Sequence, residues 1–182
     1  MLSIYLLRFL TFFLCLFLHE YSFAKSQSTS YNRKAWKHWI DEDQNCLNTR
    51  QEVLKEQSIV LVTQVKCKVT KGKWNDFYFN EVLEDPLKID IDHVVPLKHA
   101  HDNGGAGWSQ DQKKLFANDK LNLVVTSRKA NRTKGSNDFT SWSPINKGYA
   151  CKYMKRWFEV KEKYKLNISQ SEIEQKQIMD CP

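Results

Sequence analysis

Four polar residues stand out by type and spacing: the dipeptide Asp92-His93, then Asn122, then Asn131 nine positions further on. An imidazole with an ordinary pKa near ~6.5 is mostly a free base at neutral pH and can take a proton from water. A carboxylate and an amide oxygen are hard donors. They suit magnesium or manganese better than zinc and leave several coordination positions for water and an anion. The chain is basic overall, with 28 Lys and Arg against 21 Asp and Glu, a formal charge of +7. That excess points to an anionic partner such as nucleic acid or a membrane surface, although a basic and inert surface would have the same composition.

Positioning these residues takes a strand, a second strand and a helix. Leu87 to Val95 alternates apolar Leu87, Ile89 and Ile91 with Lys88, Asp90 and Asp92, the pattern of a strand ending at Asp92-His93. Leu121 to Thr126 reads as a short strand that carries Asn122. Ser127 can cap a helix from Arg128 to Lys134 that carries Asn131 and stops at Gly135. Between the strands, Asn103-Gly104-Gly105 breaks the chain, and Ser109-x-x-Gln112 is a capping box for a helix to about Ala117.

The flanks are predicted as follows. Thr49-Arg50-Gln51-Glu52 is read as a capping box opening a short helix with Val53 and Leu54. Ile59 to Val69, rich in β-branched residues, is a strand; Lys71-Gly72-Lys73 is a turn, and Trp74 to Phe79 a return strand. From Tyr149 the apolar residues Tyr153, Met154, Trp157, Val160 and Tyr164 recur at helical spacing, read as a core stripe. Ser169-x-x-Glu172 starts a last helix towards Cys181.

The stretches Asp90-Ile91-Asp92-His93-Val94-Val95-Pro96, Leu121-Asn122-Leu123-Val124-Val125 and Asn131-Arg132-Thr133-Lys134-Gly135 resemble the His-Asn-His (HNH) nuclease superfamily. A longer resemblance is to secreted members related to the HNH domain of Gmr-type restriction enzymes. It takes in Trp39-Ile40-Asp41, Cys46 to Leu54, Cys67, Gly72-Lys73-Trp74, Phe116-Ala117-Asn118-Asp119 and Trp142. The resemblance implies an α+β fold with a ββα-metal core over about 87–135, braced by an N-terminal helix and strands and by two C-terminal helices. It implies phosphodiester hydrolysis, which needs an activated water and charge stabilisation on the phosphate. His93 would be the general base, with Asn122 holding the segment that orients it. Asp92 and Asn131 would ligate one Mg2+ or Mn2+; many members have a third His where this chain has Asn131. Arg128, Lys129, Arg132 and Lys134 become candidates for phosphate contacts, and Arg50 for a phosphate clamp. The expected function is an endonuclease on DNA or RNA with little sequence preference. The alternatives are a non-catalytic nucleic-acid-binding protein and an exported interaction protein on the same fold. Asp90, His38, His99 and His101 are read as surface or packing residues rather than ligands.

Residues 1–24 read as a secretory signal peptide: Arg8, an apolar run from Phe9 to Leu18, and Ser22-Phe23-Ala24 before the cleavage point. The apolar run is short for a membrane span. Cleavage would remove Arg8 and Glu20 and leave the charge at +7, with no stable membrane association. Residues 25–30 are polar and expected to be disordered, and 31–182 a single domain. Cys46, Cys67, Cys151 and Cys181 remain, an even number in an oxidising compartment. Four cysteines allow three pairings; local bracketing favours Cys46–Cys67 and Cys151–Cys181, against free buried thiols as the alternative. Asn131-Arg132-Thr133 is also a glycosylation sequon, and a modified Asn131 could not ligate metal, so the site suits a bacterial secreted or periplasmic protein.

Overall fold

The computed structural model describes residues 30–181. The expected signal peptide and residues 25–29 lie outside the described residues. In chain order the elements are α1 (Thr49–Glu56), the strands β1 (Thr63–Val65), β2 (Lys68–Lys71), β3 (Trp74–Asp76), β4 (Glu81–Leu83) and β5 (Ile89–His93), then α2 (Leu97–Asp102) and α3 (Gln110–Asn118). They continue with β6 (Leu123–Ser127), α4 (Arg128–Lys134), α5 (Lys147–Lys163) and α6 (Gln170–Met179). The fold is α+β, and its strands form three antiparallel pairs, β1–β2, β3–β4 and β5–β6.

The β5–β6 pair is central. Its register sets Asp90 opposite Thr126, Asp92 opposite Val124 and His93 opposite Leu123. Successive strand side chains point to opposite faces. Ile89, Ile91, Leu123 and Val125 therefore pack on one side with Val53, Leu54, Val69 and Trp74. Val124 packs on the other side with Ala130 of α4, Tyr153 and Trp157 of α5, and Trp36. Asp90 and Asp92 share the Val124 face, the one that α4 covers. α4 follows β6 directly because the Ser127 side chain accepts from Ala130 N at 3.2 Å. It ends where Gly135 takes φ 56°, a left-handed conformation that suits glycine.

The capping boxes at Ser109 and Ser169 form with both reciprocal bonds, to Gln112 and Glu172. The box expected at Thr49 does not. Asn48 is the cap of α1, its side chain accepting from Gln51 N. Thr49 is drawn one residue into the helix because its hydroxyl bonds Ile40 O at 3.0 Å and Asn118 Oδ1 at 2.9 Å. Glu52 is drawn away to Lys120 at 3.2 Å. The single strand expected over Ile59–Val69 is instead a hairpin, turned where Lys66 takes φ 52°. The return strand from Trp74 pairs forward with β4, not back with β2. Gly72 is needed beside it, since a Cβ there would lie 2.5 Å from the Trp74 ring.

Disulfides join Cys46 to Cys67 and Cys151 to Cys181, the locally bracketing pairing. The second ties α6 to α5, where the buried Lys161 ammonium meets Glu172 at 2.6 Å and Trp157 Nε1 donates to the same carboxylate at 2.7 Å. Among the described residues no helix is long and apolar enough to cross a membrane.

Candidate active site

β5 delivers Asp92 and His93 to opposite faces of its last turn of pleat, and each is fixed by a different shell. His93 is buried, with Nε2 2.8 Å from the Ala117 carbonyl at the end of α3. A carbonyl can only accept, so Nε2 carries the proton and Nδ1 is the basic nitrogen. Trp39 stacks on the ring, with centroids 5.8 Å apart and planes 24° from parallel. Burial, with nearby Arg33 and Lys134 acting in the same direction, lowers the His93 pKa to about 3, which keeps the imidazole a free base at neutral pH.

Asn122 clamps the segment after His93. Its Oδ1 accepts from Val95 N at 2.8 Å, its Nδ2 donates to Val95 O at 3.1 Å, and its own carbonyl accepts from Val94 N at 2.8 Å. The side chain lies just ahead of β6 and is fully buried.

Asp92 is buried on the other face. Tyr78 donates to its Oδ2 at 2.9 Å, and the Lys134 ammonium lies 2.9 Å from the same oxygen and 3.2 Å from Oδ1. Burial raises the Asp92 pKa and lowers that of Lys134, and the attraction between the two opposes both shifts. Lys134 also donates to His93 O at 2.8 Å and has no exposed surface. The expectation that it contacts phosphate from the helix surface is therefore corrected: the last turn of α4 points it inward, where the Asp92 charge compensates its burial.

Asn131 is half-buried, and its Nδ2 donates to Asp90 Oδ2 at 3.0 Å. This bond fixes the amide flip and leaves Oδ1 as the oxygen available to a ligand. Asp90 therefore positions Asn131 and is not merely the exposed face of its strand. The two-residue spacing of Asp90 and Asp92 on a face covered by a helix is the sequence feature that carries this. Asp92, His93 and Asn131 line one cavity of about 330 Å³ together with Tyr31, Arg33 and Lys98. Larger grooves elsewhere among the described residues contain none of the three.

The remaining predicted contacts divide. Arg128 and Arg132 are exposed on α4, with Arg128 Nε 3.7 Å from Asp90. Arg50 instead turns inward, Nη2 donating to Ile89 O at 2.8 Å and Pro86 O at 3.3 Å, so it holds the start of β5 and lies outside the cavity. A lone Arg after a helix cap carries no sign of such carbonyl partners 36 and 39 residues away. His99 packs on Trp157 and meets Lys161 at 3.2 Å, away from the site.

The donors fit a hard divalent cation. Asp92 has about four acceptor positions, of which Tyr78 and Lys134 occupy three, so an open position remains on Oδ1, and Asn131 Oδ1 is unencumbered by its Asp90 bond. Among the described residues no three His, Cys, Asp or Glu side chains gather as ligands. An ion held here would complete its shell with water and phosphate oxygens, as magnesium or manganese does and structural zinc does not.

The family model for the C-terminal domain of GmrSD restriction endonucleases matches residues 42–179. An uncharacterized secreted protein of Arthroderma benhamiae (strain ATCC MYA-4681 / CBS 112371) is 35% identical over 144 residues, which are 78% of this chain and 70% of that one. No solved structure matches the chain.

Proposed function

This chain belongs to the family of the GmrSD restriction endonuclease C-terminal domain, and from that membership we propose that it is an exported, divalent-metal-dependent endonuclease of low sequence preference. The observation that carries the reading is the bond from His93 Nε2 to the Ala117 carbonyl. It leaves Nδ1 unprotonated on a ring that lines the same cavity as Asp92 and Asn131. In that cavity Nδ1 takes a proton from water as the water attacks the phosphorus of a DNA or RNA phosphodiester, and the 3′ oxygen leaves. The negative phosphate beside the ring raises its affinity for that proton. Asp92 and Asn131 would hold Mg2+ or Mn2+, which when bound supplies charge stabilisation on the non-bridging and leaving oxygens. Asn122 keeps His93 in place through Val95, and Lys134 balances the buried Asp92 charge. Arg128 and Arg132 contact backbone phosphates, which carry no sequence information.

Export rests on the sequence of residues 1–24, the two disulfides and the secreted relative.

The test is supercoiled-plasmid nicking by the wild-type protein. Nicking in Mg2+ or Mn2+, abolished by chelator and restored by added metal, supports the reading. Full activity in chelator overturns the metal assignment. Plasmid binding without cleavage in any divalent metal overturns the enzyme assignment in favour of a binding protein.

A further inference from the structure

The cavity has a second wall that the sequence motifs do not reach. It is built by residues 31–33 of the N-terminal segment and by the start of α2, and it brings Tyr31, Arg33 and Lys98 over Asp92, His93 and Asn131. The segment is anchored. Arg33–Ala35 form one turn of 3-10 helix, and the Asn32 side chain caps it by accepting from Lys34 N at 3.0 Å. Trp36, directly after it, is 1% exposed and packs on Trp108 and Phe116 with ring centroids 5.7 and 5.6 Å away. Arg33 is thus a surface cation on a fixed support, and its charge reaches His93.

The charges of the cavity do not cancel. Asp92 is balanced by Lys134 at 2.9 Å and Lys98 by Asp102 at 2.5 Å. Among the described residues no carboxylate lies within ion-pair distance of Arg33, whose side chain is hydrogen-bonded to the neutral Tyr31 hydroxyl of the same wall. The uncompensated charge on this cavity wall is a guanidinium, the planar fork that meets phosphate oxygens in pairs. An anionic group is what this wall of the cavity accepts.

We propose that Arg33 binds the non-bridging oxygens of the phosphodiester held in this cavity, from the wall facing Asp92 and Asn131. This deepens the endonuclease reading and rests on it only for the identity of the bond cleaved. Arg33 is then a substrate-binding residue supplied by a segment 59 positions before Asp92 in the sequence. Removing it takes away one phosphate contact and the orientation that a bidentate contact gives.

The experiment uses the full mature chain and a short DNA duplex. Arg33→Ala is compared with Arg33→Lys and with Lys34→Ala, an exposed neighbour of equal charge outside the cavity. Binding is measured in the His93→Ala background over a salt series, and cleavage in the background with His93 intact. Arg33→Ala is expected to weaken binding about tenfold and to reduce the slope of log K against log salt by about 1, the loss of one phosphate contact. Its cleavage at saturating DNA should fall by about tenfold or more. Arg33→Lys should keep the slope and lose cleavage several-fold, because a point charge cannot orient the phosphate. Lys34→Ala should match its parent in both. An unchanged slope with cleavage within twofold in Arg33→Ala overturns the proposal, as does an equal effect from Lys34→Ala. If the wild type binds but does not cleave and Arg33→Ala still lowers the slope, the phosphate contact stands while the endonuclease reading fails.

Discussion

Replacing Asn122 by Ala should separate positioning from chemistry. The side chain makes two bonds, both to Val95, in a place with no exposed surface. Alanine leaves the Val95 N–H without its acceptor and the Val95 carbonyl without its donor, at a position with no access to solvent. Each orphaned buried group costs ~1–3 kcal/mol, so the pair should cost about 2–6 kcal/mol in all. For a domain of this size that is a fall in Tm of about 4–24 °C, at ~2–4 °C per kcal/mol. Val94 and Val95 follow His93 directly, so releasing them lets the imidazole leave the Ala117 carbonyl. Cleavage measured well below the variant's Tm should therefore drop by about tenfold or more, a cost that small displacements at a reacting centre can reach. The paired measurements are a thermal melt and a nicking rate at a temperature where both proteins are folded. An unchanged Tm with lost cleavage would refute the clamp and place Asn122 on the substrate. A lowered Tm with undiminished cleavage would show that Val95 does not orient His93.

Burial, reinforced by Lys161, lowers the His99 pKa from 6.5 to about 4, so the folded protein favours its neutral form. That contribution to stability is complete above pH ~6.5 and is lost as pH falls towards ~4, by about 2–3 kcal/mol after screening of a partly solvated ring. Glu172, held below its ordinary pKa mainly by its Lys161 hydrogen bond against an opposing burial effect, adds to the acid loss only at lower pH. Denaturant melts across pH 4–7 check this, and His99→Gln should flatten the upper part of the curve. Asn131→Ala should weaken Mn2+ binding, read by calorimetry, and recover part of its cleavage in excess metal. Asp90→Ala, which frees the Asn131 amide to rotate, should shift the affinity the same way by a smaller factor.

The parts of the fold legible in the sequence are those governed by short-range rules. The boxes at Ser109 and Ser169, the Ser127 cap with Gly135, and the alternation through Ile89 and Ile91 all concern neighbours within a few residues. The cysteine pairs follow the same logic, each bracketing one local stretch. Misreadings arise where a distant partner outbids the local one. Thr49 is claimed by Ile40 and Asn118, and Glu52 by Lys120, so the cap moves to Asn48. The strand over 59–69 folds back on itself at Lys66, beside the Cys67 bond to Cys46. At the site, the motif gathers Asp92, His93 and Asn131 into one cavity, with Asn122 buried behind them. Lys134 reads as any surface lysine until Asp92, 42 residues earlier, is seen to hold it. Arg33 and Trp39 belong to a segment whose packing on the site has no periodicity to announce it.

The central claim is that His93 is a base acting on water and does not hold the substrate. The measurement is His93→Ala in paired assays with saturating Mg2+ or Mn2+: nicking of supercoiled plasmid, and equilibrium binding of a short duplex at fixed salt. Cleavage should fall by at least ~100-fold, the low end for loss of a general base. Duplex binding should stay within about twofold, since the proposed phosphate contacts, Arg33, Arg128 and Arg132, remain in place. Wild-type cleavage surviving in His93→Ala, at unchanged binding, would contradict the account.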